Sequence, residues 1–276
     1  MRETGTARDG SSDGGPVIRR VLITGAEGTI GTALREYLGD RYALSALTKE
    51  SQPFPSHVAD ISDLDAILPA FDGVEAVVHL AASPAVETPW PSILQNNLIG
   101  TYNVFEAAHR AGVERVVFAS SNHVIGMYEF DGVPDIYALD DPRTYDHTVE
   151  IRPDSLYGVS KAYGEALGRY YVERHGMKVF CLRIGSVRGN DDPLDPEMLA
   201  SSPALLDLAT EEERRVRMRA TWQSRRDIAQ LVGRCLDVPE VTWAVVYGIS
   251  DNPRQFWDIS HARDLLGYEP QDGAPE

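Results

Sequence analysis

Residues 17–24 (VIRRVLIT) read as a strand that ends in Gly25-Ala26-Glu27-Gly28-Thr29-Ile30-Gly31, and a helical pattern follows to residue 38. This order constrains the fold more than any other feature of the chain. A strand feeding a helix through a tight glycine turn opens a right-handed crossover, which belongs to a parallel sheet. Glycines here let the backbone approach a pyrophosphate seated on the helix N-terminus. The turn predicts a doubly wound α/β fold with a dinucleotide at Gly25, Gly28, Thr29, Ile30 and Gly31. A plain glycine turn is the simpler alternative.

The alternation continues along the chain. Strands are predicted at 42–48, 57–60, 76–80, 115–120 and 178–183. Helices are predicted after an N-cap at Ser62, at 93–111 and at 157–175. The run 76–80 (AVVHL) has no polar face, as expected of a strand covered on both sides. Beyond residue 183 the pattern changes. Residues 189–203 are rich in Asp and Pro and read as a loop region. A helix at 225–236, a strand at 243–247 and a short helix at 260–266 follow. The expected organisation is a polar, flexible leader at 1–16, a dinucleotide-binding Rossmann core at 17–185, and a small C-terminal substrate region at 186–276 that completes one α/β unit.

The net charge is −16, which argues against nucleic acid and anionic membranes as partners. No apolar run approaches the ~20 residues of a membrane span, and residues 1–16 lack the apolar core of a signal peptide. A cytoplasmic location is the expectation. Cys181 and Cys235 fit no disulfide or metal spacing, so no metal site is expected.

Tyr157 and Lys161 stand four residues apart. On a helix they share a face, one turn apart. A phenol titrates near 10 and is a poor base at neutral pH. A neighbouring ammonium favours the phenolate, so the pair is a device for taking a proton from an alcohol. A Tyr and a Lys on an ordinary amphipathic helix would look the same.

Two further positions bear on the cofactor. Asp60, with Ile61 beside it, follows the third strand and is placed to accept from an adenine amino group; a helix N-terminal acid is the alternative. An Asp or Glu at the end of the second strand would bind the ribose hydroxyls of NAD. This chain has Leu47-Thr48-Lys49-Glu50 instead. Thr48 and Lys49 suit a phosphate, and NAD or NADP stays open.

The glycine turn, His79-Leu80-Ala81-Ala82 and Tyr157-x-x-x-Lys161 together resemble the extended short-chain dehydrogenase/reductase superfamily, also called the NAD-dependent epimerase/dehydratase superfamily. The similarity spans about residues 17–270. Ser120-Ser121-Asn122-His123, Arg183-Ile184-Gly185-Ser186 and Arg217-Met218-Arg219-Ala220-Thr221-Trp222 narrow it to the uronate dehydrogenases. That group oxidises the anomeric carbon of a hexuronate to a lactone with NAD; a related group oxidises sugar phosphates.

The resemblance implies catalysis by Ser121, Tyr157 and Lys161. It implies cofactor contacts from Leu80, Ala81, Ala82, Asn97 and Ile184, and substrate contacts from Ser83, Ser121, Asn122, His123, Tyr157, Ser186 and Arg217. Lys161 would lower the Tyr157 pKa, Arg217 would bind the sugar's anionic group, and Asn97 would fix the active-site loop. A homodimer paired through the two long helices is expected. The segment 187–216 is longer than in the uronate enzymes, and the loop at 82–86 is altered. A nucleotide-sugar epimerase on the same scaffold, or a redox-sensing dinucleotide module, are the competing readings.

Overall fold

In the computed structural model, residues 19–196, 199 and 210–275 are described. Seven parallel strands form one sheet: β1 (Arg20–Thr24), β2 (Ala43–Thr48), β3 (His57–Val58), β4 (Ala76–His79), β5 (Arg115–Ser121), β6 (Lys178–Ile184) and β7 (Trp243–Gly248). Their order is β3-β2-β1-β4-β5-β6-β7. The order reverses between β1 and β4, the place where open α/β sheets bind ligands. The predicted leader, residues 1–16, lies outside the described residues, as does much of the loop predicted at 189–203.

The apolar strands serve two cores at once. Val21 and Ile23 of β1 pack into one and Leu22 into the other. Val78, Val117 and Phe180 join the first, Val77, Val116 and Val179 the second. Side chains alternate across a strand, so a strand covered on both faces needs apolar residues at every position. On one face α1 (Thr29–Leu38) packs against the helix at Arg225–Asp237. The other face carries α2 (Leu64–Ile67), the helical run containing α3 (Trp90–Ser92) and α4 (Gly100–Arg110), and α6 (Leu156–His175).

Several expectations are corrected. The N-cap of α2 is Asp63, whose Oδ1 accepts from Ala66 N, while Ser62 gives its amide to Asp60. The predicted helix 93–111 begins earlier, at Trp90, and its first part, Ile93–Ile99, is π-helical. α5 (Gly126–Gly132) was not predicted; its glycines and mixed polarity give no helical period. A helix also forms at Glu211–Thr221, called α7 here, closed by a capping box between Thr210 and Glu213. α8 (Arg225–Asp237) and α9 (Ser260–Leu266) complete the chain. β7 pairs in parallel with β6, so the chain beyond residue 186 rejoins the main sheet.

Candidate active site

A cavity of about 680 Å³ follows the carboxyl ends of the strands. Of the residues singled out in the sequence, all but Ser83 and Asn97 line it. At one end is the glycine turn. Gly25 has φ +69°, and a Cβ there would lie 2.9 Å from the Ala81 backbone. A Cβ on Gly31 would meet the Ala26 backbone at 2.6 Å, so only glycine lets α1 pack this close. α1 has no side-chain cap and no acid in its first turn. Its first amides are thus offered to an anion from outside the helix, and the turn fits a dinucleotide pyrophosphate.

The floor beside this turn is held by Thr24 and His79. Thr24 Oγ1 accepts from Leu80 N and Ala81 N, each at 3.2 Å. The buried His79 ring bridges Thr24 at 2.8 Å and Thr101 at 3.2 Å. Burial, and then the Lys161 charge, pull His79 down to about 3, so it is a neutral strut. At the adenosine end, Lys49 Nζ lies 3.0 Å from Asp60 Oδ2. The Ser62 amide and Lys49 together hold the Asp60 carboxyl below its usual range. Thr48 departs from expectation: its side chain is buried and its hydroxyl is engaged with Glu50 O and Ser56 Oγ, so it locks the turn and offers no free donor to a phosphate.

Asn97 is buried under the loop at Ser83. Its Oδ1 accepts from Ser83 N, and its Nδ2 donates to Ser83 O and Ser160 Oγ. It ties the loop to α6 and does not line the cavity, so the cofactor contact expected of Asn97 is not made by a lining side chain. Ser83 Oγ accepts from Asn96 Nδ2 at 2.8 Å. The cavity wall on this loop is therefore Ala82 and Pro84 to Glu87, not Ser83.

The catalytic candidates converge at the centre. Ser155 caps α6 by accepting from Gly158 N, which places Tyr157 in the first turn and Lys161 one turn on. Both side chains are buried, and Lys161 Nζ lies 5.6 Å from the Tyr157 ring centroid and 5.0 Å from that of Phe118. Ser121 Oγ donates to Asn122 Oδ1 and accepts from His123 N, both at 3.2 Å.

Their protonation differs from expectation. Burial raises the Tyr157 phenol to about 12, against a lowering hydrogen bond from Ser121, and the Asp154 charge raises it further. Burial alone brings Lys161 down to about 7. Lys161 does not depress the phenol here, because desolvation disfavours the charged form of each partner. A consequence follows for the dinucleotide-free protein. Unfolded Lys161 holds its proton up to the ordinary 10.5, whereas the folded residue releases it near 7. The unfolded state binds more protons in that window, so this residue's contribution makes stability rise with pH across it. Lys161→Met is expected to flatten the rise, read as urea midpoints between pH 7 and 9.5 in this window. An unchanged slope in the variant would contradict it.

At the far end, Arg217 is not free. Its Nε donates to Glu129 Oε1 at 2.9 Å, and the Tyr137 hydroxyl donates to the same oxygen at 2.7 Å. Ser186 Oγ is 3.1 Å from Thr221 Oγ1, while its residue still lines the cavity. Among the lining residues that sequence reasoning missed are Glu129, Asp154, Arg188 and Arg214. Glu129 sits on the unpredicted α5. Arg188 follows Ser186 by two positions, and only its closeness to a matched motif hinted at a role. Its Nη2 donates to Met218 Sδ at 2.9 Å, and its buried Nε has no partner among the described residues. Burial and then the Arg217 charge lower its pKa, with Asp195 opposing.

A dinucleotide cradle, a Ser–Tyr–Lys group and a basic end in one cleft define an oxidoreductase of the extended short-chain dehydrogenase type. The comparisons agree: residues 21–230 match the NAD dependent epimerase/dehydratase family, and the chain belongs to it. A Haloferax volcanii NAD-dependent glucose-6-phosphate dehydrogenase is 40% identical, covering 93% of this chain and 94% of that protein. An L-arabinose 1-dehydrogenase (NAD(P)(+)) of the same organism is 37% identical, covering 92% and 97%. A solved Agrobacterium tumefaciens uronate dehydrogenase, a mutant complexed with NAD, superposes with TM-score 0.75 at 32% identity, covering 94% of this chain and 86% of that one.

Proposed function

We propose that this protein oxidises the anomeric carbon of an anionic aldose to a lactone, with NAD or NADP as hydride acceptor, and that a hexuronate is the substrate. The observation that carries the reading is the set of guanidinium groups, Arg188, Arg214 and Arg217, that line the same cavity as Ser121 and Tyr157. Guanidinium binds carboxylate and phosphate in a fork. Glu129 neutralises Arg217, and Arg188 has no carboxylate within ion-pair distance among the described residues. Arg188, with no such carboxylate among the described residues, suits an anionic group on the sugar. A sugar phosphate is the second reading, favoured by the 40% identity to the Haloferax volcanii glucose-6-phosphate dehydrogenase.

The nicotinamide, when bound, supplies the hydride acceptor. Beside a protonated Lys161 the Tyr157 phenol gives up its own proton to solvent, and the resulting phenolate Oη takes the proton of the anomeric hydroxyl. Ser121 Oγ donates to the same oxygen and orients it. Lys161 restores its own charge beside the phenol and bonds the nicotinamide ribose. The cleft walls keep water from the reacting carbon and hold the ring in one pose. The reading includes a cytoplasmic homodimer paired through α4 and α6, which is supported by the exposed Tyr102, Val159 and Tyr170 on those helices.

A panel of glucuronate, galacturonate, glucose 6-phosphate and neutral aldoses, each with NAD and NADP, tests the reading at about 340 nm. Reduced cofactor is expected with the acidic sugars. Turnover of neutral aldoses alone would remove the anionic substrate. Arg188→Gln is expected to raise KM for the anionic sugar roughly 10- to 100-fold, the loss of one charge-assisted hydrogen bond. An unchanged KM would leave Arg188 without this role.

A further inference from the structure

His123 is held by a carboxylate. Its Nδ1 lies 2.7 Å from Asp154 Oδ2, and the Asp154 side chain is only 3% exposed. The other oxygen, Oδ1, accepts from the Ser155 hydroxyl at 2.8 Å. That same Ser155 oxygen caps α6. The Asp154 amide also donates to the His123 carbonyl. One carboxylate thus ties the imidazole to the start of the helix that carries Tyr157. The Tyr157 ring meets the imidazole edge-on, with centroids 5.8 Å apart.

An ionised carboxylate only accepts hydrogen bonds. The imidazole nitrogen facing it must therefore carry the proton, and the neutral ring keeps its lone pair on Nε2. No partner for Nε2 is found among the described residues, and His123 lines the cavity. Around it Arg188, Arg214 and Arg217 carry only N–H donors, and Glu129 is engaged with Arg217 and Tyr137. A sugar hydroxyl that donates needs an acceptor, and Nε2 is a neutral one.

We propose that Asp154 is a positioning residue that holds His123 as the Nδ1–H tautomer, making Nε2 the acceptor for a ring hydroxyl of the sugar. This rests on the sugar-oxidation reading for the identity of the hydroxyl, but the tautomer itself does not. Asp154→Asn places an amide where the carboxylate was. Its NH₂ group donates to Nδ1, which moves the ring proton to Nε2 and turns the acceptor into a donor.

The first test is long-range ¹H–¹⁵N correlation on the labelled full-length protein near pH 8, with His123 assigned from its loss in His123→Gln. The proton is expected on Nδ1 in the wild type. Finding it on Nε2 would overturn the proposal. This measurement needs neither turnover nor the Asp154 variant. The second test uses the sugar that the panel identifies. Asp154→Asn is expected to raise KM roughly tenfold, the scale of one unmet buried hydrogen bond, and to change kcat much less. In a His123→Gln background the same substitution should add less than about twofold, because the two residues act as one unit. Equal costs in both backgrounds would show that Asp154 acts without His123 and would overturn the proposal. If no sugar turns over, the sugar-oxidation reading fails, while the tautomer result still decides the role of Asp154.

Discussion

Tyr157→Phe is expected to lower turnover roughly 10²- to 10⁴-fold, the range that a positioned general base supplies. The change removes one oxygen and keeps the ring. The edge contact with His123 and the approach of Lys161 at 5.6 Å are contacts of that ring, so they survive. What is lost is the hydroxyl on which Ser121 acts. The wild-type group is held protonated by burial, at about 12. Catalysis therefore requires the Lys161 charge to return beside it, and phenylalanine cannot respond to that charge at all. Steady-state rates would be compared with reduced-cofactor binding followed by fluorescence. Loss of rate with binding retained is the expected pattern. Full turnover in the variant would sink the mechanism.

The second large effect concerns stability. Arg183 and Glu165 form a buried pair, with Nε–Oε1 at 3.0 Å, Nη2–Oε2 at 2.9 Å and both side chains at most 5% exposed. Ser120 Oγ adds a bond to Glu165 Oε1 at 2.6 Å, and Arg183 Nη1 donates to the Tyr247 hydroxyl at 3.3 Å. The network joins β5, α6, β6 and β7. Glu165→Leu leaves the guanidinium buried without its acid, and a cost of about 3–5 kcal/mol is expected. The double change, adding Arg183→Met, removes both charges and is expected to recover most of that loss. Urea midpoints of the three proteins decide it. A single variant as stable as the double would mean that water reaches the guanidinium. Because Ser120 precedes Ser121, and Arg183 lies three residues before Ser186, turnover of a stable double variant would separate the network's support of the fold from its placement of the cleft.

The sheet was legible because its signal is local. Apart from His79, Arg115 and Ser120, the residues of 76–80 and 115–120 are apolar on both faces, and a strand with two apolar faces must be covered on both. The glycine turn was legible for a similar reason: a backbone 2.9 Å from its neighbour tolerates no side chain, and that demand shows as glycine. The π-helical stretch at Ile93–Ile99 was not legible, since its one cue was a pair of asparagines in a helix. The turn of Ser83 away from the cavity was hidden too, because it depends on Asn96, thirteen residues on.

By itself, the sequence determined the doubly wound fold, the dinucleotide turn and the grouping of Ser121, Tyr157 and Lys161. The first two follow from short-range steric demands, the Tyr157–Lys161 spacing from the helical repeat, and the place of Ser121 beside them from what the resemblance implies. Only the tertiary structure decided the state of those groups. It paired Arg217 with Glu129, 88 residues away, and brought an unmatched Arg188 to the same wall. It buried Lys161 and pulled its ammonium down to about 7. The reason is physical: a side chain's charge and free lone pairs are set by what surrounds it in space, and the surroundings come from distant parts of the chain.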